Sequence, residues 1–203
     1  GLAGVRAIFQ GLSAYEPNYE AFGKIERHND IGYPSVLMFT DANTEDVVSD
    51  PNGYNWNENS LDYSDRTYTS YESQMVWNDH YNAIYVANTV IKGYNTGEDP
   101  TNEEARFFYA QGLAARAYFY FNLAQLYQFT YKDNETKPCI PVVTDENTAK
   151  SQVEGTPCST VEETYTQIKS DIDHAITLLE GTSYEREDKR YISLAVAYGI
   201  RAR

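Results

Sequence analysis

Between residues 159 and 181, apolar side chains recur at Val161, Tyr165, Ile168, Ile172, Ala175 and Leu179, at spacings of 4, 3, 4, 3 and 4. That period gathers all six on one face of an α-helix and would scatter them over both faces of a strand. The stretch also carries its own punctuation: Ser159-Thr160-Val161-Glu162 reads as a capping box, and Gly181 as the stop. Two further segments follow the same logic. Trp77, Tyr81, Ile84, Asn88 and Ile91, spaced 4, 3, 4 and 3, predict a helix over 71–92 that Gly93 ends. After Pro100, Thr101 is placed to cap the N–H of Glu104 while the Glu104 carboxylate reaches back, opening a helix that runs to about Tyr127. Its interior holds Ala110, Gly112, Ala114, Ala115 and Ala117. Glycine costs about 1 kcal/mol against alanine in a helix interior, so Gly112 predicts a close approach by a second helix.

The remaining segments are less sharply drawn. Leu2, Val5, Phe9 and Leu12 place a first helix over 1–15, closed by Pro17. Residues 35–40 fit the end of a helix or an extended stretch, and the period leaves both open. Residues 41–70 are dense in Asp, Asn, Ser and Gly and contain the turn signal Pro51-Asn52-Gly53, which predicts a long loop. A second polar connection spans 128–158 and is broken by Pro138, Pro141 and Pro157, so the short apolar run 140–143 makes no sheet. Ile192, Val196 and Gly199 begin another helix that reaches Arg203 without a stop signal, and the natural protein is expected to continue. The fold class is therefore all-α, with long irregular loops.

Charge excludes several partners. The formal net charge is −14 and no basic cluster interrupts it, so a phosphate backbone or an anionic membrane surface would be repelled. No apolar run approaches the ~20 residues needed to cross a bilayer. His28, His80 and His174 lie in three separate segments, with no HExxH, nucleophile elbow, glycine-rich phosphate loop or Cys/His metal spacing. No catalytic residue, metal or cofactor is expected, and His80 and His174 fall off the apolar faces of their helices as solvated residues. Asp41, Asn43, Glu45 and Asp46 lie in a calcium-loop-like order but lack the glycine and the later glutamate such a loop needs. The 30 acidic residues offer no spacing that singles out a glycosidase pair.

What the loop 41–70 does contain is aromatic. Tyr54, Trp56, Tyr63 and Tyr68, with Asn57 beside them, are the candidate ligand residues, because flat rings stack on the apolar faces of sugars while neighbouring amides and carboxylates satisfy hydroxyls. The alternative is that these rings fold back to cover the helices beneath. Trp77, Tyr81, Tyr118, Phe119 and Phe121 sit inside the helical patterns and are assigned to packing.

With the helices in place, EARFFYAQGLAARAYFYFNLAQLY at 104–127 closely resembles a helix of the SusD/RagB family. WNDHYNAIYVANTVI at 77–91, CIPVV at 139–143 and STVEETYTQIKSDIDHAITLL at 159–179 follow in the family order, and YISLAVAYGIRAR at 191–203 resembles the start of the next family helix. The departures are local: residues 128–137 stand where the family has a brief approach to the proline-containing segment, and Thr-Pro-Cys precedes Ser159. The resemblance implies a scaffold of tetratricopeptide-like paired helices, here the N-terminal part over 1–203, with the C-terminal ligand-binding half absent. It implies a cell-surface lipoprotein of the outer membrane that captures a glycan and delivers it to a SusC-like TonB-dependent transporter. The membrane would be reached only through an N-terminal lipid anchor not present in this chain. Two other functions remain open, a helical protein-interaction module and a glycoside hydrolase.

Cys139 and Cys158 flank a polar connection rich in turn residues, so the chain can double back and bring them together. A disulfide needs Cα atoms within ~7 Å. The export that the resemblance implies would let such a bond persist, and the alternative is a pair of free thiols.

Overall fold

The structure is a computed structural model that describes residues 3–6, 32–47 and 58–203. The expected helix over 1–15 lies mostly outside these residues; its described part, 3–6, is helical and fully buries Val5. The helices that follow are α1 (Tyr33–Ala42), α2 (Glu58–Leu61), α3 (Tyr71–Lys92), α4 (Glu103–Tyr127), α5 (Thr148–Glu154), α6 (Val161–Glu180) and α7 (Leu194–Ala202). Among the described residues there is no strand, only an isolated antiparallel bridge between Pro138 and Thr160, and the chain is all-α as expected. It divides into two compact units, one of residues 1–9 with 82–203 and one of residues 10–81.

In the larger unit α4 and α6 form the main pair. They run antiparallel: Arg106 near the start of α4 donates to the carbonyl of Gly181, just past the end of α6, at 2.7 Å, whereas Phe121 near the end of α4 meets Tyr165 in the first turns of α6. Phe107, Phe108, Phe119, Tyr120 and Leu123 of α4 and Ile168, Ile172 and Leu179 of α6 are buried. Gly112 is where α4 approaches α3 closely, since a Cβ there would stand 3.0 Å from Ile91 Cγ1 and 3.2 Å from Val90 Cγ1. α7 packs on α6 and more lightly on α4. Buried Gln111 ties its approach in place, donating to the Ile192 carbonyl at 2.9 Å and accepting from the Ile192 N–H at 2.7 Å.

Both cap assignments shift by one residue. Asn102, not Thr101, caps α4 by accepting from the Ala105 N–H at 3.0 Å. At α6 the box joins Thr160 to Glu163, with the Glu163 N–H donating to Thr160 Oγ1 at 3.2 Å and the Thr160 N–H to Glu163 Oε2 at 2.8 Å. In each case two neighbouring polar residues could cap, and the helix begins where its apolar face first meets the core. Residues 35–40 are helical, with Pro34 in the first turn of α1, where a missing N–H costs nothing. Residues 41 and 42, and then α2, also shorten the long loop expected over 41–70. Along α3 the expected face holds at Ile84, Asn88 and Ile91, which are buried, and departs only in the first half of the helix. Val76 and His80 are buried while Trp77 and Tyr81 are half-buried and pack on each other at 4.7 Å.

The expected disulfide is not formed: Cys139 and Cys158 are free, the first buried and the second exposed. The chain does double back as anticipated, but main-chain bonds hold its ends. The Cys139 N–H donates to the Ser159 carbonyl at 2.7 Å and the Ser159 N–H to the Ile140 carbonyl at 2.9 Å, a pairing that leaves one thiol facing the core and the other facing solvent. Burial pushes the Cys139 thiol above its ordinary value.

Candidate functional site

The described part of the aromatic loop belongs to the smaller unit and is built around the end of α1. Asn43, the residue after α1, turns its amide nitrogen back to the Phe39 carbonyl at 3.0 Å and across to Asp65 Oδ2 at 3.1 Å. Its side-chain oxygen accepts from Arg66 Nε at 3.0 Å and its main-chain carbonyl from Arg66 Nη2 at 3.1 Å. Asp65 is buried, 1% exposed, and its main-chain carbonyl accepts from the hydroxyls of Ser70 and Ser73 ahead of and within the first turn of α3. One polar chain, Arg66–Asn43–Asp65, therefore fastens the turn between α2 and α3 to the C-terminal end of α1.

On this anchor sits Tyr63. Its φ of 63° is left-handed, a conformation that an aromatic residue adopts only at a cost of about 1–3 kcal/mol. The Arg66 guanidinium lies over its ring, 3.8 Å from the centroid, and the residue is still 53% exposed. Tyr68 is 97% exposed. Beside them Asp62 is held below the usual carboxylate range by the hydroxyl and N–H of Ser64. Of the five candidate ligand residues, Tyr63 and Tyr68 thus present ring surface to solvent, while Tyr54, Trp56 and Asn57 lie outside the described residues. Sequence reasoning passed over Asp65 and Arg66 and weighed Asn43 only as part of a calcium-loop-like order, although Arg66 is the single basic residue between positions 41 and 70.

The larger unit contains a buried polar hub. Arg116, 5% exposed in its side chain, grips Asp171 with two parallel bonds, Nε to Oδ2 at 2.7 Å and Nη2 to Oδ1 at 2.8 Å. Its third nitrogen, Nη1, donates to Asn88 Oδ1 at 2.8 Å and to Asp145 Oδ1 at 2.9 Å. Asn88 passes the connection on to the Val143 carbonyl at 2.8 Å, and the Tyr120 hydroxyl both donates to that carbonyl at 2.6 Å and accepts from the Val143 N–H at 2.7 Å. Asp145 takes a further bond from Asn95 at 3.0 Å. Burial pushes Asp171 upward against the guanidinium, whereas Arg116 is held above its ordinary value by both carboxylates despite its own burial. α3, α4, α6 and the 139–148 segment all contribute to this hub. One guanidinium bridges both carboxylates, and the hub ties these elements together.

Two histidines depart from expectation. His80 is fully buried near Tyr33, with ring centroids 6.1 Å apart, and burial lowers its pKa to about 4. His174 is half-buried, with Nε2 2.7 Å from Asp99 Oδ1 and its ring edge-on to Tyr109. Among the described residues no group of three or more His, Cys, Asp or Glu side chains is placed to hold a metal, and no helix is long and apolar enough to cross a membrane.

Taken by fold and surface, this is an all-helical scaffold of paired helices that displays an anchored aromatic turn. The chain belongs to the SusD-like family: the family's sequence pattern, described as "Starch-binding associating with outer membrane", matches residues 31–203. Among solved structures it resembles a SusD-like carbohydrate binding protein from Bacteroides vulgatus, at 25% identity and a TM-score of 0.76, over 98% of this chain and 39% of that one. A laminarin binding SusD-like protein shares the fold at 21% identity and a TM-score of 0.65, over 98% of this chain and 38% of that one. A SusD superfamily protein from Bacteroides thetaiotaomicron shares it at 18% and 0.58, over 99% and 40%. The chain thus spans about two fifths of the length of these structures. No curated protein sequence matches it.

Proposed function

We propose that the protein is a non-catalytic glycan-binding protein held at the outer face of the outer membrane, which captures an oligosaccharide or polysaccharide and passes it to a SusC-like TonB-dependent transporter. The observation that carries this reading is the likeness, over 98% of the chain, to a structure described as a SusD-like carbohydrate binding protein. The family's description as starch-binding and associating with the outer membrane supports both the ligand class and the location. The aromatic turn supplies a chemical rationale. Tyr63 and Tyr68 expose rings that can stack on sugar faces, among Asp, Asn and Ser side chains able to meet hydroxyls. Tyr54, Trp56 and Asn57 complete the set that we assign to the same ligand. An N-terminal lipid anchor would attach such a protein to the membrane.

Incubation of the intact protein with soluble starch, laminarin and other polysaccharides, followed by affinity electrophoresis and a reducing-end assay, tests the proposal. Retardation on at least one polysaccharide without new reducing ends is expected. New reducing ends would assign the protein to the hydrolases, and neither effect would assign it to protein-interaction modules.

A further inference from the structure

We propose that Tyr63 is a one-faced sugar platform and that Arg66 is the positioning residue that holds it; the inference rests on the glycan-binding reading above. Three observations converge on it. The Tyr63 backbone is left-handed at φ 63°, where a glycine would be at ease and a tyrosine is strained. Such strain persists only where surrounding bonds over-determine it, and it gathers at ligand clamps. Arg66 covers one ring face at 3.8 Å and is itself fixed by two bonds to Asn43, which is tied to buried Asp65. Even so, Tyr63 is 53% exposed, so the strain and the anchoring do not serve to bury it.

The arrangement has a chemical logic. A tyrosine on an exposed turn would ordinarily sample several rotamers and would have to be immobilised when a ligand docks. A planar guanidinium stacked on one face restricts the ring beforehand and leaves the opposite face for the axial C–H groups of a pyranose. Lysine cannot replace it, because a point charge neither lies flat on the ring nor makes the forked contact to Asn43. Tyr63 would touch the sugar; Arg66 would act through Tyr63.

The test uses the intact protein and whichever of soluble starch or laminarin the wild type retains. Tyr63→Gly removes the ring and relieves the left-handed strain at the same position. It is expected to weaken binding about five- to a hundredfold, the range for one ring stacked on an aromatic side chain, with no fall in Tm. Tyr63→Phe keeps the face and should bind within about twofold of wild type. Arg66→Ala and Arg66→Lys should each weaken binding about two- to tenfold, the scale of immobilising one flexible side chain, and the two should resemble each other. Wild-type affinity in Tyr63→Gly overturns the platform. A large fall in Tm in that variant makes the ring a structural cover and overturns it as well. Full binding in Arg66→Lys overturns the positioning role, because charge alone would then suffice. If the wild type binds no polysaccharide, the glycan reading itself fails, and this outcome is distinct from the others.

Discussion

Replacing Arg116 by alanine would remove the guanidinium that satisfies Asp171, Asn88 and Asp145 together. Asp171, 3% exposed in its side chain, would keep only the bond from Gln167 at 2.9 Å. Leaving one member of a buried pair uncompensated costs about 3–5 kcal/mol. In a chain of this size each kcal/mol lowers Tm by about 2–4 °C, so a drop of roughly 6–20 °C is expected. Urea denaturation at pH 7, followed by far-UV circular dichroism, measures the same loss directly. Two further readouts separate an orphaned charge from simple loss of packing. Arg116→Met combined with Asp171→Leu should recover the part of the loss owed to Asp171, since apolar replacements of a buried ion pair are often neutral or better, while Asp145 keeps its bond from Asn95. Burial already pushes Asp171 upward, and without the guanidinium it would do so unopposed. A carboxyl whose folded-state pKa is raised favours the folded state at low pH and loses that contribution as pH rises through the folded pKa. The deficit of Arg116→Ala should therefore narrow as the medium is acidified. A loss below about 1 kcal/mol, or a double variant less stable than either single one, would refute the reasoning.

His80 supplies a pH dependence of opposite sign in the wild type. Its folded-state pKa is about 4 against an ordinary value of 6.5, so its contribution is full above about pH 6.5, falls as the unfolded state takes up a proton, and is gone by about pH 4. The total is about 3 kcal/mol. Denaturation at pH 7 and pH 4.5 should show this loss in the wild type and not in His80→Gln; equal losses in both would assign the acid lability elsewhere. For the cysteines, a thiol reagent should modify exposed Cys158 in the native protein and buried Cys139 only on unfolding. Two thiols in the denatured, unreduced protein are expected, and none in a monomer would restore the disulfide.

The parts of the fold that were legible in the sequence are those where one helix face alone carries the signal. α3, α4 and α6 each bury a stripe of apolar residues between identifiable start and stop residues, and each falls within a residue or two of its expected range. α5 escaped because it buries none of its residues, so hydrophobic periodicity has nothing to report. The hub escaped for the opposite reason. Asp171 and Arg116 face inward among apolar neighbours, and residue type alone assigns charged side chains to the surface. One clue was available: Arg116 interrupts an alanine-rich stretch that must pack closely, a place where a long charged side chain needs a buried partner. His80 was misplaced because Trp77 and Tyr81 were taken to extend the stripe of Ile84, Asn88 and Ile91, whereas His80, about one turn before Ile84, extends it. Of the candidate site, the aromatic content and exposure of Tyr63 and Tyr68 could be read from composition, whereas the anchor could not. Asn43 and Arg66 are 23 residues apart and meet only once the turn is folded.

The docking of the 139–148 segment has a kinetic consequence. Val143 and Asp145 reach α3 and α4 across sequence separations of 23 to 55 residues, and the Arg116–Asp171 grip spans another 55. Contacts of this range close large loops before they return any stabilisation, so they form after the local helical turns that α4 and α6 nucleate on their own. Interactions absent from the folding transition state slow unfolding more than they speed folding. The buried hub therefore acts as a latch on the finished scaffold: it sets how long the larger unit stays closed once assembled.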